Sequence, residues 1–272
     1  MIDTHIELPD GAASINLLQE ALEFSGVEEI IIIQRNPGLR AAQNLIQQIH
    51  QTDEPKCNII TGAATENKKL FKTQLEIDSR ETSICGYVTD VHQQDIQRWT
   101  KNEDIHYSTK LIAEKGKPLD LIFAPHQAKF ILPFLDAHPD LSIILDHCLS
   151  EAPTIDATWK RLLREIGRRP HVSYRLSSLA PMASAETVYE TTQGCKEAFD
   201  AALEGFGTDR LIYGSGWPAT PTRYPIWLNT IDNLIHTLSE NERSNIYREN
   251  AVKIYNLTKN SFKNKPSLQT GH

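Results

Sequence analysis

Three observations predict that this chain folds as a single α/β domain, a closed (β/α)8 barrel. Eight short β-rich runs alternate with longer helical patterns at roughly thirty-residue spacing, as parallel strands joined by crossover helices require. The run Ile30-Ile31-Ile32-Ile33 fits a strand buried on both faces, which is how strands of a parallel sheet sit. The length, 272 residues, suits one barrel, and no Pro/Gly-rich linker divides it. An open doubly wound sheet is the structural alternative, but no G-x-G-x-x-G follows the first strand.

The elements are read in order. Strand one covers residues 2–8, with period-two alternation. A helix started by Asp10 or Ser14 runs to Phe24, and Gly26 stops it. Strand two is 27–34 and a helix follows at 39–51. Strand three is 58–63, its helix 67–76; strand four is 83–88, its helix 107–115, with a turn at Gly116. Strand five is 119–124, followed by a helix at 128–137 that Pro139 ends. Strand six is 141–146 with a helix at 159–167, and strand seven is 171–176 with a helix at 194–203. Strand eight is 210–213, and helices at 226–238 and 240–257 close the chain. From Thr258 onward the sequence is polar, so the domain is taken as 1–257 and the segment 258–272 as a disordered tail. A closed barrel also requires strands one and eight to hydrogen-bond to each other.

Charge and cysteine usage narrow the classes of function. There are 35 acidic and 28 basic residues, a formal net charge of -7. That balance provides no basic footprint for nucleic acid and disfavours an anionic membrane surface. The apolar run 30–33 is far too short to span a bilayer. The opening MIDTHIELPDG has no basic region followed by an apolar stretch, so it is not read as a signal peptide. Cys57, Cys85, Cys148 and Cys195 form no C-x-x-C pair, which excludes a thiolate zinc site of the usual spacing. The expectation is a cytoplasmic protein with reduced thiols, a small-molecule ligand, and a homo-oligomeric state left open.

In a barrel the chemistry sits at the carboxyl ends of the strands and the loops after them. Strand one offers His5 and Glu7, two residues apart and so on one face. Strand two offers Gln34 and Arg35; strand four offers Thr89 and Asp90, with His92 just beyond. Strand five offers His126 and Gln127, strand six Asp146 and His147, strand seven Arg175 and Ser177, and strand eight Ser215 and Trp217. His5, Glu7 and His147 are the candidate ligands of a divalent metal such as zinc. A catalytic zinc usually takes three protein ligands, and Arg175 nearby competes for Glu7, so metal binding is expected to be weak or absent. His5, Glu7, His147 and Arg175 are expected to line one cavity.

At these residues the chain resembles the amidohydrolase-related family of metal-dependent-hydrolase-like barrels. The branch is the sugar-lactonase-like one of fuconolactonase, rhamnonolactonase and pyrone-dicarboxylate lactonase relatives. IDTHIEL is similar to the family's strand-one D-x-H-x-H, and FAPHQAKFILPFLDAHPDLSIILDHCLSEAP to its stretch from strand five through the strand-six D-H. HVSYRLSSL resembles K-L-S-G, RLIYGSGWP resembles G-S-D-W-P, and IYRENAVKIYNL resembles the closing N-A-x-x-x-Y. The departures bear on activity. The second histidine is Glu7; the strand-four G-[IV]-R-H reads Gly86-Tyr87-Val88-Thr89; the strand-seven Lys is Arg175. The strand-eight Asp, which the resemblance makes general base and metal contact, is Gly216.

Two readings follow. In the first, the chain is a hydrolase acting on a lactone or similar cyclic ester of a small polar carboxylate or sugar. Glu7 or Asp90 activates water, His147 and Arg175 polarise the carbonyl oxygen, and His5 orients one of them. Gln34, Asp90, His126, Ser215 and Trp217 contact the substrate. In the second, the chain is a pseudoenzyme that keeps the pocket and binds a small polar ligand, because glycine at 216 can neither take a proton nor hold a metal by its side chain. Lyase or decarboxylase chemistry is a third, lesser alternative.

Overall fold

The computed structural model describes residues 1–8, 12–37, 39–49, 55–146, 156–177, 179, 187–218 and 223–257. Eight parallel strands follow one another around a nearly closed barrel in sequence order. They are β1 (Ile2–Ile6), β2 (Glu29–Pro37), β3 (Lys56–Gly62), β4 (Ile84–Asp90), β5 (Leu119–Ile122), β6 (Ile143–Leu145), β7 (Val172–Leu176) and β8 (Leu211–Tyr213). The helices are α1 (Ala12–Leu22), α2 (Leu39–Ile49), α3 (Lys68–Asp78), α4 (Ile96–Trp99), α5 (Glu103–Glu114), α6 (Ala128–Ala137), α7 (Ala157–Gly167) and α8 (Val188–Phe206). After β8 come α9 (Tyr224–Ile235), α10 (Glu240–Ser244), a π turn (Asn245–Glu249) and α11 (Asn250–Ile254).

Every strand read from the sequence is present. The helices depart in four places. α4 was not anticipated; α5 and α8 begin earlier than expected, at Glu103 and Val188. The last helix is broken, its second half bent into the π turn and α11. Among the described residues no helix is long and apolar enough to cross a membrane.

Alternation along the strands sorts the core into two layers. Ile31, Ile33, Ile60, Ile122, Ile144 and Ile212 meet inside the barrel. Leu121, Leu145, Tyr174 and Tyr213 face the helices, as do Ile30 and Ile32 beneath α1 and α2. Ala251, Val252, Tyr255 and Leu257 join the interior layer, so the last described segment packs across the barrel at the end opposite the carboxyl ends of the strands. Asn250 anchors this segment by donating to the carbonyls of Thr208 and Leu211, both at 2.8 Å. The motif similar to N-A-x-x-x-Y is thus a closing device for the barrel floor.

The seam between β1 and β8 is held where the strands reach the mouth. Gly216 N donates to the His5 carbonyl at 3.0 Å and Glu7 N to the Trp217 carbonyl at 2.8 Å. Buried Asp3 reinforces it: Oδ1 accepts from Ser215 N at 2.9 Å and His5 N at 3.0 Å, and Oδ2 accepts from the Tyr224 hydroxyl at 2.8 Å. Strands one and eight therefore do bond to each other, through a single bridge at Ile6 and Trp217 rather than a long ladder.

Candidate active site at the carboxyl mouth

β1 shifts register between Asp3 and Ile6. An irregularity of this kind re-aims the side chains beyond it. Thr4 and His5, neighbours in sequence, both reach interior partners: Thr4 Oγ1 accepts from Arg175 Nε at 3.1 Å, and His5 Nδ1 lies 3.1 Å from Asp146 Oδ1. Two residues on, Glu7 returns to the same side, its Oε1 3.2 Å from His5 Nε2. His5 and Glu7 thus lie on one face, as their spacing predicts, and they contact each other.

These residues belong to an unbroken row of charged groups from barrel floor to rim. At the floor the Tyr255 hydroxyl donates to Asp120 Oδ1 at 3.1 Å. Arg175 Nη2 donates to Asp120 Oδ2 at 2.6 Å and to the Tyr255 oxygen at 2.5 Å, while Nη1 lies 2.9 Å from Asp146 Oδ2. Asp146 Oδ1 also accepts from Ser177 Oγ at 3.1 Å. Beyond His5 and Glu7, Arg35 donates to Glu7 Oε1 through Nη2 at 2.5 Å and Nε at 3.1 Å, and through Nη1 to Asp90 Oδ2 at 3.4 Å. Asp90 Oδ1 in turn holds His92 Nδ1.

Burial divides the row. The Asp120, Arg175, Asp146 and His5 side chains are fully enclosed. Glu7, Arg35, Asp90 and His92 keep between 23% and 31% of their side-chain surface. Only this second set, on β1, β2 and the end of β4, can touch a ligand entering from solvent.

The protonation states follow from partners. Both ring nitrogens of His5 face carboxylate oxygens, which accept but do not donate when ionised, so His5 is held as a doubly donating imidazolium. Burial opposes that charge, but Asp146 and Glu7 outweigh it and raise the His5 pKa. Burial would likewise raise Glu7; the hydrogen bond from His5 and the charge of Arg35 overcome it and hold the carboxyl down at about 2.

Several expected site residues stand elsewhere. Arg175 is entirely enclosed and serves to pair Asp120 with Asp146 beneath the mouth, so the structure gives it no face toward a carbonyl. Gln34 falls in step with the helix-facing Ile30 and Ile32 and makes no hydrogen bond to the row; Arg35, one residue on, is the strand-two group that enters it. His126 is exposed on the turn Pro125–Gln127, away from these contacts. Its neighbour Gln127 is buried and ties the loops after β4 and β5 together, donating to the Val91 carbonyl at 2.8 Å. Ser215 Oγ donates to the His5 carbonyl at 3.2 Å, and Trp217 packs against the apolar layer containing Ile6 and Leu18; both serve the seam. His147 lies outside the described residues, as does the segment 258–272.

Glycines shape the adjoining wall, after β8. A Cβ at Gly214 would come within 2.9 Å of both Arg175 Cδ and His5 Cβ, so only glycine lets those side chains pass. Gly216 has φ +67°, the left-handed region that glycine enters without strain.

The chain is similar to L-fucono-1,5-lactonase of Burkholderia multivorans, 25% identical over 191 residues, 65% of this chain and 64% of that protein. It therefore spans just under two thirds of that relative's length. It is also similar to L-fucono-1,5-lactonase of Burkholderia ambifaria, 25% identical over 258 residues, 90% of this chain and 85% of that one. An amidohydrolase from Burkholderia multivorans, solved with bound zinc, superposes with a TM-score of 0.81 at 20% identity, covering 94% of this chain and 99% of that chain; that likeness concerns the fold.

Amidohydrolases commonly hold a divalent metal, and the donor set here was tested for one. His5 has committed both ring nitrogens to carboxylates, and Glu7 is paired with a guanidinium. No three His, Cys, Asp or Glu side chains among the described residues are grouped to hold a metal ion. A divalent ion about 4 Å from the Arg35 charge would meet a repulsion of several kcal/mol at a surface-like dielectric. The described residues do not fit a divalent metal. The sequence model of the family described as Amidohydrolase matches residues 85–257, well over half of the length, and the chain belongs to that family.

Proposed function

We propose that this chain hydrolyses a lactone or similar cyclic ester of a small polar molecule by water attack at the carbonyl, with the base supplied from the end of β4 instead of β8. The observation that carries this reading is the Asp90–His92 pair at the rim. The carboxylate on Nδ1 sets the orientation of the imidazole at the rim, and an imidazole held by a carboxylate is the usual side chain for taking a proton from water. Glu7 is the weaker choice: a carboxyl held at about 2 has little affinity for a proton near neutrality. Its part is to hold Arg35, whose guanidinium lies beside Asp90 and faces the developing oxyanion.

The test is a pH-indicator screen of the purified protein over sugar and aromatic lactones, followed by His92→Ala on whatever substrate is found. Loss of a positioned base lowers the rate typically 10²–10⁴-fold. An active wild type matched by a folded His92→Ala protein sinks the base assignment.

The rival reading, a chain that binds a small polar ligand without turning it over, is favoured by Gly216, which stands where the family resemblance puts a carboxylate. A wild type that turns over no lactone, yet is stabilised thermally by a sugar lactone or its hydroxy acid, selects it.

A further inference from the structure

We propose that the guanidinium of Arg35 occupies the electrostatic place of a divalent cation at this mouth, so that the positive charge the site needs is built into the chain. Three observations converge on Arg35. It is the only described side chain that bridges the ends of β1 and β4, bonding Glu7 Oε1 at 2.5 and 3.1 Å and Asp90 Oδ2 at 3.4 Å. Carboxylates collected from separate strand ends around one central charge are what a metal would otherwise draw together. Next, the cation is planar and presents several donors in a fixed fork, which allows one group to serve two carboxylates at once; a lysine ammonium would not match it.

The third observation is that the histidine beside it is already spent. His5 gives one nitrogen to Asp146 and the other to Glu7, so the imidazole joins the cationic side of the site instead of offering a lone pair. Arg35 and His5 together bring two positive charges to the Glu7 carboxylate, the same charge as one divalent ion. Unlike a metal, they lower no water pKa by direct coordination. A side-chain base such as the Asp90–His92 pair then has to take the proton.

This inference concerns cation binding and stands apart from whether the chain is a lactonase. It is tested with zinc alone on the full chain after dialysis against a chelator, by isothermal titration calorimetry and by thermal unfolding with and without zinc. The wild type is expected to show no stoichiometric zinc binding and no rise in melting temperature. Arg35→Gln removes one like charge from a partly exposed site, which should tighten zinc binding roughly 10-fold or more. Arg35→Gln combined with Glu7→His, which supplies a second imidazole, should tighten it further. Arg35→Lys keeps the charge and should behave like the wild type toward zinc even if its melting temperature falls. Zinc should restore part of the melting temperature that Arg35→Gln loses, a rescue that a merely structural arginine would not give. A wild type that takes one equivalent of zinc tightly overturns the proposal, as does an Arg35→Gln protein whose zinc affinity and zinc-dependent melting match the wild type's.

Discussion

Replacing Arg175 by methionine removes the one described cation in contact with both Asp120 and Asp146, deep in the barrel. Methionine fills a similar volume, so the change is mainly one of charge. Asp146 keeps His5 as a counter-charge; Asp120 keeps only the Tyr255 hydroxyl. Burial raises the Asp120 pKa and Arg175 pulls it back. Without Arg175 the carboxyl stays neutral in the fold to higher pH, while in the unfolded chain it ionises near 3.9. In the wild type this carboxyl already stands at about 6, so relative to it the variant loses about 1.4 kcal/mol per pH unit above 6: little at pH 5 and about 2.7 kcal/mol at pH 8. The sign follows: a raised folded-state pKa gives stability that is present at low pH and lost as pH rises, and the variant goes on losing it beyond the wild type. Against a typical domain stability of about 5–15 kcal/mol, the variant should be folded at pH 5 and measurably less stable than the wild type at pH 8. Urea unfolding at several pH values measures this, with Arg175→Met/Asp120→Asn as the partner variant. The double variant should lose most of the pH-dependent penalty. A penalty that is the same at pH 5 and pH 8, or that Asp120→Asn fails to relieve, refutes the account of an ionised interior layer held by Arg175.

Burial pushes Asp78 up to about 6, against bonds from Tyr87 and Gln74, so its contribution to stability is lost as pH rises from about 4 through 6. Asp78→Asn should stabilise the protein by about 2 kcal/mol at pH 8 and flatten its stability profile over that window, read by denaturant titration. Tyr255→Phe leaves Asp120 and Arg175 each short of a partner and should cost about 1–3 kcal/mol; a melting temperature equal to the wild type's contradicts the floor contact. Gly216→Asp places the carboxylate that the family resemblance expects on a residue with φ +67°, so it should lose about 1 kcal/mol of stability while raising lactonase activity. A folded variant that gains nothing on any lactone shows that position 216 is not where activity was lost.

The strands were legible because short apolar runs rich in β-branched and aromatic residues and bounded by turn residues have few other places to go, as at 30–33, 143–145 and 211–213. The start of α8 was not. Val188, Thr191 and Thr192 are weak helix formers and Gly194 reads as a break, yet Thr187 caps the segment by accepting from Glu190 N, and tertiary packing keeps it helical. For α5 the signal was present and passed over: Asn102 accepts from Asp104 N, with Glu103 and Asp104 in the first turn. At the site, spacing was enough to put His5 and Glu7 on one face. Choosing Gln34 over Arg35 failed for a definite reason: an uninterrupted run of four isoleucines has no alternation, so it does not say which phase faces the barrel axis. Nor does local pattern reveal depth. Arg175 points inward as expected, but a layer below the mouth, and Tyr255 reaches that layer from the far end of the chain.

The two layers of charge differ in a way that bears on the proposed chemistry. In the enclosed layer Arg175 and the His5 imidazolium match Asp120 and Asp146 one for one, so its charges balance without solvent. At the rim the two carboxylates are held unequally. Glu7 is bonded by both His5 and Arg35, whereas Asp90 shares Arg35 at the longer distance of 3.4 Å and holds His92. The base proposed above therefore acts through the carboxylate less committed to cations, by way of the imidazole that Asp90 holds. The same step performed by Glu7 would uncover Arg35 and disturb the hydrogen bond to His5. The contacts of Glu7 thus argue against it as the base and for the Asp90–His92 pair proposed above.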